Sequence, residues 1–198
     1  MPQPSDLNMS ASVQHPLFVS FVAGPSGLWR IDRVDCYIGV AMPSADRLDV
    51  LESSDWRPAM SEGSKWILRG VTSNLRYTTR VEADELKRRQ QELGRPEATR
   101  AALIPIRKNA AWWALAQDER RIIFEERSRH TTIGLEYLPA VARRLHHSRE
   151  LAEPFDFLTW FEYAPEHSDV FEELVRRLRQ SEEWRYVDRE VDIRLSRP

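Results

Sequence analysis

The segment Phe155-Asp-Phe-Leu-Thr-Trp-Phe-Glu-Tyr163 decides the class of fold that this sequence predicts. Its aromatic and apolar residues are typical of a strand. Pro165 follows and suits the first turn of a helix, where a backbone N–H would have no helical partner in any case. The apolar stripe of this predicted helix consists of Val170, Phe171, Leu174, Val175 and Leu178. A strand therefore leads directly into an amphipathic helix.

A closing strand is predicted after this helix. Its apolar positions are Val187, Val191, Ile193 and Leu195, and its charged positions are Asp188, Glu190, Asp192 and Arg194. Alternation of this kind predicts a half-buried strand, with one face on the core and one face in water.

The residues before Phe155 divide into a sheet-rich part and a helical part. We predict strands at residues 17–23, 29–41, 65–71 and 102–107, and Pro105 indicates that the last is an edge strand or contains a bulge. The polar, proline-containing residues 42–62 are predicted to form a loop. We predict helices at residues 81–93, 110–116, 119–127 and 131–145, with Gly94 ending the first, Asp118 capping the third and Pro139 interrupting the last.

This order of elements predicts an α+β fold. Two halves of similar length, residues 17–107 and 108–198, each have a β-α-β-like pattern, which two ferredoxin-like halves sharing one core would fit. The polar residues 1–16 are expected to be a flexible tail. Fold class alone does not identify a function.

Composition limits the classes of function. The chain has 198 residues, 41% hydrophobic and 30% charged, with a formal net charge of −2, so nucleic acid is not an expected partner. The single cysteine, Cys36, excludes an internal disulfide and is expected to be a small buried residue. No apolar run approaches the ~20 residues that span a bilayer, and the leader lacks signal-peptide features. A cytoplasmic protein without a membrane partner is therefore expected.

One of the five histidines stands apart from the others. His130 follows a strongly charged helical stretch and begins the small-residue run Thr131-Thr-Ile-Gly134. Such a position suits either an imidazole facing a cavity or a structural histidine. The other four, His15, His146, His147 and His167, are interpreted as background. The sequence contains no H-E-x-x-H, P-loop or G-x-G-x-x-G motif.

Two further groups of residues could carry chemistry. Lys108, if it lies on one helix with Trp112, would place a cation beside the Trp112-Trp113 rings. Rings beside a cation suit a large flat anionic ligand, or they form core packing with a lysine that reaches solvent. Arg143 and Arg144 are adjacent, so one of the pair can point inward and the other to water.

Taken together, these motifs resemble the chlorite dismutase family of haem b enzymes. The resemblance rests on the order and spacing of Lys108-x-x-x-Trp112-Trp113, His130, Arg143 and residues 155–162, and it extends over about residues 17–195. Shorter matches lie at residues 74–77, 102–107 and 182–195. The short N-terminal half resembles the compact clade of the family, whose members are dimers.

The resemblance implies a dimeric α+β barrel with haem b in the C-terminal half of each subunit. His130 would be the proximal iron ligand, and Glu183, or the adjacent Glu182, would accept a hydrogen bond from its ring. Arg143 would be the distal residue, hydrogen-bonded by Gln90. The remaining cofactor contacts would be Lys108 and Tyr77 at the propionates, and Trp112 and Trp113 beside the haem and the subunit contact.

The resemblance also implies an activity, the decomposition of chlorite to chloride and molecular oxygen. A distal guanidinium would attract the small anion and retain its hypochlorite-like fragment until the O–O bond forms. A coproheme decarboxylase is an alternative, but such enzymes typically carry glutamine where this chain has Arg143. A non-catalytic haem carrier or sensor is the alternative from another class.

Overall fold

Eight antiparallel strands close into a barrel in the computed structural model, which describes residues 17–54, 62–72 and 76–198. The strands are β1 Phe18–Gly24, β2 Trp29–Ile38, β3 Arg47–Ser53, β4 Trp66–Val71, β5 Arg100–Lys108, β6 Val141–His147, β7 Phe157–Tyr163 and β8 Val187–Ser196. Their order around the barrel is β1-β3-β2-β8-β5-β7-β6-β4. The expected tail, residues 1–16, and Asn74 and Leu75 of the 74–77 motif lie outside the described residues.

The helices lie in the connections between strands. They are α1 Arg80–Arg89, α2 Ala110–Ala114, α3 Gln117–Arg121, α4 His130–Glu136 and α5 Ser168–Arg179, with a π-helix at Ile122–Arg127 and 3₁₀ turns that include Glu182–Tyr186. No helix in the described part of the chain is long and apolar enough to cross a membrane.

The sheet packs on both of its faces. Leu103, Leu158 and Trp160 belong to one apolar cluster, which fills the barrel. Ile104 and Phe161, the neighbours of Leu103 and Trp160, belong to a second cluster that packs against α5. Because side chains alternate along a strand, β5 and β7 contribute to both clusters. The second cluster is the one that bears on function.

Most elements agree with the sequence predictions. The segment around Phe155 forms β7, and the apolar stripe of α5 is buried at Phe171, Leu174, Val175 and Leu178. The prediction of a continuous loop over 42–62 was wrong, because β3 lies within it and pairs with β1. Cys36 is exposed rather than buried. Pro105 does not mark an edge, since β5 lies between β7 and β8.

Two other predictions need correction, and both concern the wall of the functional site. Residues 131–145 are not one helical region, because α4 ends at Glu136 and β6 begins at Val141. The closing strand β8 is buried on both faces rather than half-buried. Its charged residues Glu190 and Asp192 are buried with the α5 residue Arg179, whose Nη2 lies 2.5 and 2.7 Å from their carboxylates. Mutual ion pairing allows these charges to leave water.

The strand order repeats within the barrel. The first four strands are arranged β4-β1-β3-β2, and the last four are arranged β8-β5-β7-β6. Both hydrogen-bonded neighbours of β5 belong to the second set. The boundary predicted between residues 107 and 108 lies at the end of β5, and the division into two halves stays a prediction.

Candidate functional site

A cavity lies between the outer face of the sheet and the helices α4 and α5. Its empty volume, including open solvent at the mouth, is about 1060 Å³. Every second residue of three neighbouring strands lines it: Ile104, Ile106 and Lys108 of β5, Arg143, Leu145 and His147 of β6, and Phe157, Thr159 and Phe161 of β7. The two-residue period of a strand brings these side chains to one wall.

The helical wall combines apolar residues with one histidine. Leu174, Val175 and Leu178 of α5 face the sheet across the cavity. His130, the first residue of α4, lines the same side. The chain enters α4 through Arg129, whose φ of 54° is left-handed, directly after the π-helix. Strained backbone and π-helical turns of this kind cluster at functional sites.

The His130 imidazole is held on two sides. Its ring stacks on Phe124 with centroids 4.4 Å apart. Its Nδ1 lies 2.6 Å from Oε2 of Glu183. The other nitrogen, Nε2, makes no hydrogen bond with the described residues, so it is available to a ligand in the cavity. A histidine held by a carboxylate through one nitrogen is the usual arrangement of a metal-binding imidazole.

Glu183 and Lys108 form a buried ion pair behind this histidine. Lys108 Nζ lies 2.8 Å from Glu183 Oε1, and both side chains are at most 4% exposed. Burial raises the pKa of the Glu183 carboxyl, but the charge of Lys108 and the hydrogen-bonded contact with His130 outweigh it and lower that pKa to about 2. Glu183 is therefore a carboxylate at neutral pH.

The structure shows which of the two candidate glutamates contacts His130, and it gives Lys108 a partner other than a propionate. Glu182 lies at the surface, where it pairs with Arg127 at 3.1 Å, so Glu183 is the residue that contacts His130. Lys108 pairs with Glu183 instead of being free for a propionate. The expected helical relation to Trp112 also fails, because Lys108 ends β5.

Arg143 reaches the cavity from the opposite wall. Its Nε is buried and has no hydrogen-bond partner among the described residues. Burial lowers its pKa, although a guanidinium remains charged at neutral pH. Arg144 points to the other face of the strand, where its Nε donates to His146 Nε2 at 3.2 Å and its Nη2 contacts Glu52. Arg143 therefore faces the cavity, and Arg144 faces the opposite side of the strand.

Gln90 does not reach Arg143. Helix α1 ends at Arg89, and Gln90 leaves it in an extended conformation with φ −67° and ψ 129°. Its side chain is exposed and does not line the cavity. The expected hydrogen bond between Gln90 and Arg143 is therefore not formed in this structure.

Two of the three aromatic residues predicted to contact the cofactor line the cavity, and the third does not. Tyr77 and Trp112 line the cavity, with rings perpendicular and centroids 5.8 Å apart. The Nε1 of Trp112 is buried without a partner in the described part of the chain. Trp113 does not line the cavity; it stacks on Phe157, which does, and donates through Nε1 to Asp156 at 3.3 Å.

Sequence reasoning missed His147 and Arg76. His147 lines the cavity, although it was interpreted as background. Had residues 141–147 been recognised as a strand, alternation from Arg143 would have placed Leu145 and His147 on the same wall. Arg76 also lines the cavity, next to Tyr77; it lies within the 74–77 match, but the sequence assigned it no role.

The barrel and its cavity define a class of protein, an α+β barrel with a largely apolar cavity that a carboxylate-held histidine lines. Comparison with known proteins identifies the class further. The family model described as chlorite dismutase matches residues 34–197. The chain belongs to the chlorite dismutase family, whose members are in general haem enzymes.

Known structures and a curated relative agree with this assignment. The chain is 55% identical to a dimeric chlorite dismutase from Nitrobacter winogradskyi, with a TM-score of 0.82 over 90% of this chain and 99% of that one. Chlorite dismutase from Candidatus Nitrospira defluvii in complex with imidazole shares the fold, at 24% identity and a TM-score of 0.65 over 91% of each chain. A curated chlorite dismutase from Ideonella dechloratans is 34% identical over 100 residues, 47% of this chain and 32% of that relative. The match thus spans about a third of the length of that relative.

The residues present fit a haem. The cavity is largely apolar, as the macrocycle requires, and His130 offers an imidazole nitrogen to the iron. Three buried polar atoms on the cavity residues lack partners among the described residues: Trp112 Nε1, Arg143 Nε and His147 Nδ1. Since buried polar atoms are nearly always hydrogen-bonded, these atoms suit a ligand with polar groups.

Proposed function

We propose that this protein is a haem b enzyme that decomposes chlorite to chloride and molecular oxygen. The observation that carries the proposal is the pairing, in one cavity, of the His130–Glu183 unit on the helical side with Arg143 on the sheet side. The reaction ClO₂⁻ → Cl⁻ + O₂ balances without an external oxidant, reductant or proton. The protein therefore needs no site for a second substrate.

His130 would bind the iron through Nε2. Glu183, ionised at neutral pH, accepts the Nδ1–H hydrogen bond, which fixes the tautomer and makes Nε2 a stronger donor. Lys108 neutralises Glu183 and keeps the carboxylate in place behind the ring. Haem, when bound, supplies the oxygen-transfer chemistry.

Arg143 would act on the substrate. A fixed guanidinium in an apolar cavity attracts the chlorite anion electrostatically and offers no nucleophile to it. The same charge holds the anionic chlorine fragment near the site of O–O bond formation. The neighbouring residues Leu145 and Phe161 exclude water, which strengthens this attraction.

The assembly is part of the proposal. The Nitrobacter relative, 55% identical, is described as dimeric, which supports a homodimer for this chain. The repeated strand order supports two ferredoxin-like halves, the second of which begins with β5. The cytoplasmic location expected from the sequence stays a prediction.

The test is oxygen release measured with an oxygen electrode after chlorite is added to haem-loaded protein. The proposal predicts immediate oxygen evolution that requires bound haem. A haem carrier or sensor would bind haem and release no oxygen. A coproheme decarboxylase would instead convert coproheme to haem, a reaction that the proposal does not predict.

A further inference from the structure

One end of the cavity carries two polar residues that the proposed reaction does not use. His147 is only 2% exposed, and its Nδ1 is buried without a partner among the described residues. Its ring contacts Phe157 edge-on at 5.4 Å. A buried imidazole without a hydrogen bond is unfavourable, so a partner from the ligand is expected there.

Arg76 lies beside His147 at this end. Burial and, to a smaller extent, the positive charge of Arg76 lower the pKa of His147 to about 4. Arg76 and His147 both line the cavity, and Glu150, which Arg76 contacts, follows His147 by three residues. His147 is neutral at pH 7. Arg76 Nη2 donates to Glu150 Oε1 at 2.7 Å, while the guanidinium also borders the cavity. Its remaining N–H groups make no hydrogen bond with the described residues and can serve a second acceptor.

This end is separate from the Arg143 site. His147 and Arg143 are four residues apart on β6, which corresponds to about 13 Å along a strand. Lys108, the other cation of the cavity wall, is occupied by Glu183. An anionic group of a bound ligand at this end would therefore meet Arg76 and His147.

We propose that Arg76 and His147 bind a carboxylate of the cavity ligand, which is a haem propionate if the proposed function is correct. His147 donates one neutral N–H to the carboxylate, and Arg76 supplies a charged donor. Glu150 competes with the carboxylate for Arg76. A propionate fits better than a free inorganic anion, because a haem that occupies the apolar part of the cavity would bring its own carboxylates to the polar residues.

The experiment compares binding of haem b and its dimethyl ester, which lacks the carboxylates, by Soret titration of apoprotein. Arg76→Gln and His147→Phe should each weaken binding of haem b about tenfold, the effect of one lost hydrogen bond to a charged group. Neither change should alter binding of the ester. Glu150→Gln should tighten binding of haem b alone.

Arg69→Gln is the matched control. Arg69 also pairs with one glutamate, Glu153 at 3.2 Å, but does not line the cavity, so its loss should affect neither ligand. Equal weakening of both ligands, or no change in either, would overturn the proposal. The proposal would also be overturned if wild-type protein bound the ester as tightly as haem b. If, in addition, acetate competed with neither ligand, a site for a free anion would be excluded.

The outcomes separate this inference from the proposed function. If wild-type protein releases oxygen from chlorite but the variants do not distinguish the two ligands, only the Arg76–His147 assignment fails. If wild-type protein binds no haem, both fail. Should His147→Phe not fold, the half-exposed Arg76 and Glu150 still provide the test.

Discussion

At the residue scale, His130 carries the largest predicted effect. His130→Ala removes the only cavity imidazole that is held by a carboxylate in the described part of the chain. Haem affinity should fall by at least tenfold, with a changed Soret band, measured by titration. His167→Ala, on a turn outside the cavity, is the control and should bind haem normally. An unchanged Soret band in His130→Ala would contradict iron ligation by this residue.

Arg143 and Arg144 provide a natural pair for testing retention of the anionic fragment. Arg143→Gln removes the cavity charge and should retain haem, while releasing more hypochlorite to a chlorination trap and becoming inactive sooner. Arg144→Gln removes a charge on the opposite face and should behave as wild type in the same assay. Equal hypochlorite release from the two variants would argue against a distal role for Arg143.

Glu183 and Glu182 test the hydrogen bond to His130. Glu183→Gln removes the negative charge behind the imidazole, so the Fe(III)/Fe(II) potential should shift to a more positive value and haem affinity should fall about 10–100-fold. Glu182→Gln changes a surface pair with Arg127 and should shift neither quantity. Spectroelectrochemistry measures both variants, and identical potentials would remove Glu183 from this role.

At the scale of single elements, the N-terminus of α4 positions His130. The buried carboxylate of Glu125 accepts hydrogen bonds from the backbone N–H of Thr131 at 2.6 Å and of Thr132 at 3.1 Å. Glu125→Ala should lower the free energy of unfolding by about 1–3 kcal/mol, because it leaves buried donors unpaired. It should also weaken haem binding.

The control for this cap is Thr79, whose hydroxyl accepts from Glu82 N at the start of α1. Thr79→Ala should cost about 1 kcal/mol in urea unfolding and leave haem binding unchanged. Loss of stability without loss of haem binding in Glu125→Ala would show that this cap does not position His130.

Elements with strong local patterns could be predicted from sequence, and those fixed by tertiary contacts could not. The aromatic and apolar run of β7 and the apolar stripe of α5 are visible in the sequence itself. Strand β6 was mistaken for helix, because Val141–His147 contains charged and polar residues whose burial depends on the cavity and the barrel. The same error concealed His147, and the ion pair of Lys108 with Glu183 joins residues too distant in sequence to be recognised.

At the scale of the whole molecule, buried titratable groups set the response to acid. Burial lowers the pKa values of His146 and His147 from 6.5 to about 3 and about 4. In the unfolded chain these histidines take up protons near pH 6.5, whereas in the folded chain they remain neutral. Their contribution to stability is therefore complete above pH 6.5 and is lost as the pH falls towards 4.

The buried carboxylate of Glu183 also contributes stability that is lost in acid, but at a lower pH than the histidines. Because its folded pKa is about 2, its contribution is present above pH 4.5 and declines below it. Urea unfolding of apoprotein should show decreasing stability from pH 6.5 downward, and His147→Phe should flatten the upper part of this curve. A wild-type stability that is constant between pH 6.5 and 4 would contradict neutral buried histidines.

The most direct test of the whole account is the stoichiometry of oxygen release from chlorite by haem-loaded wild-type protein. An oxygen electrode combined with chloride determination should find one O₂ and one chloride for each chlorite consumed, with little hypochlorite trapped. Chlorite consumption without oxygen release, or no consumption by fully haem-loaded protein, would contradict the proposed function.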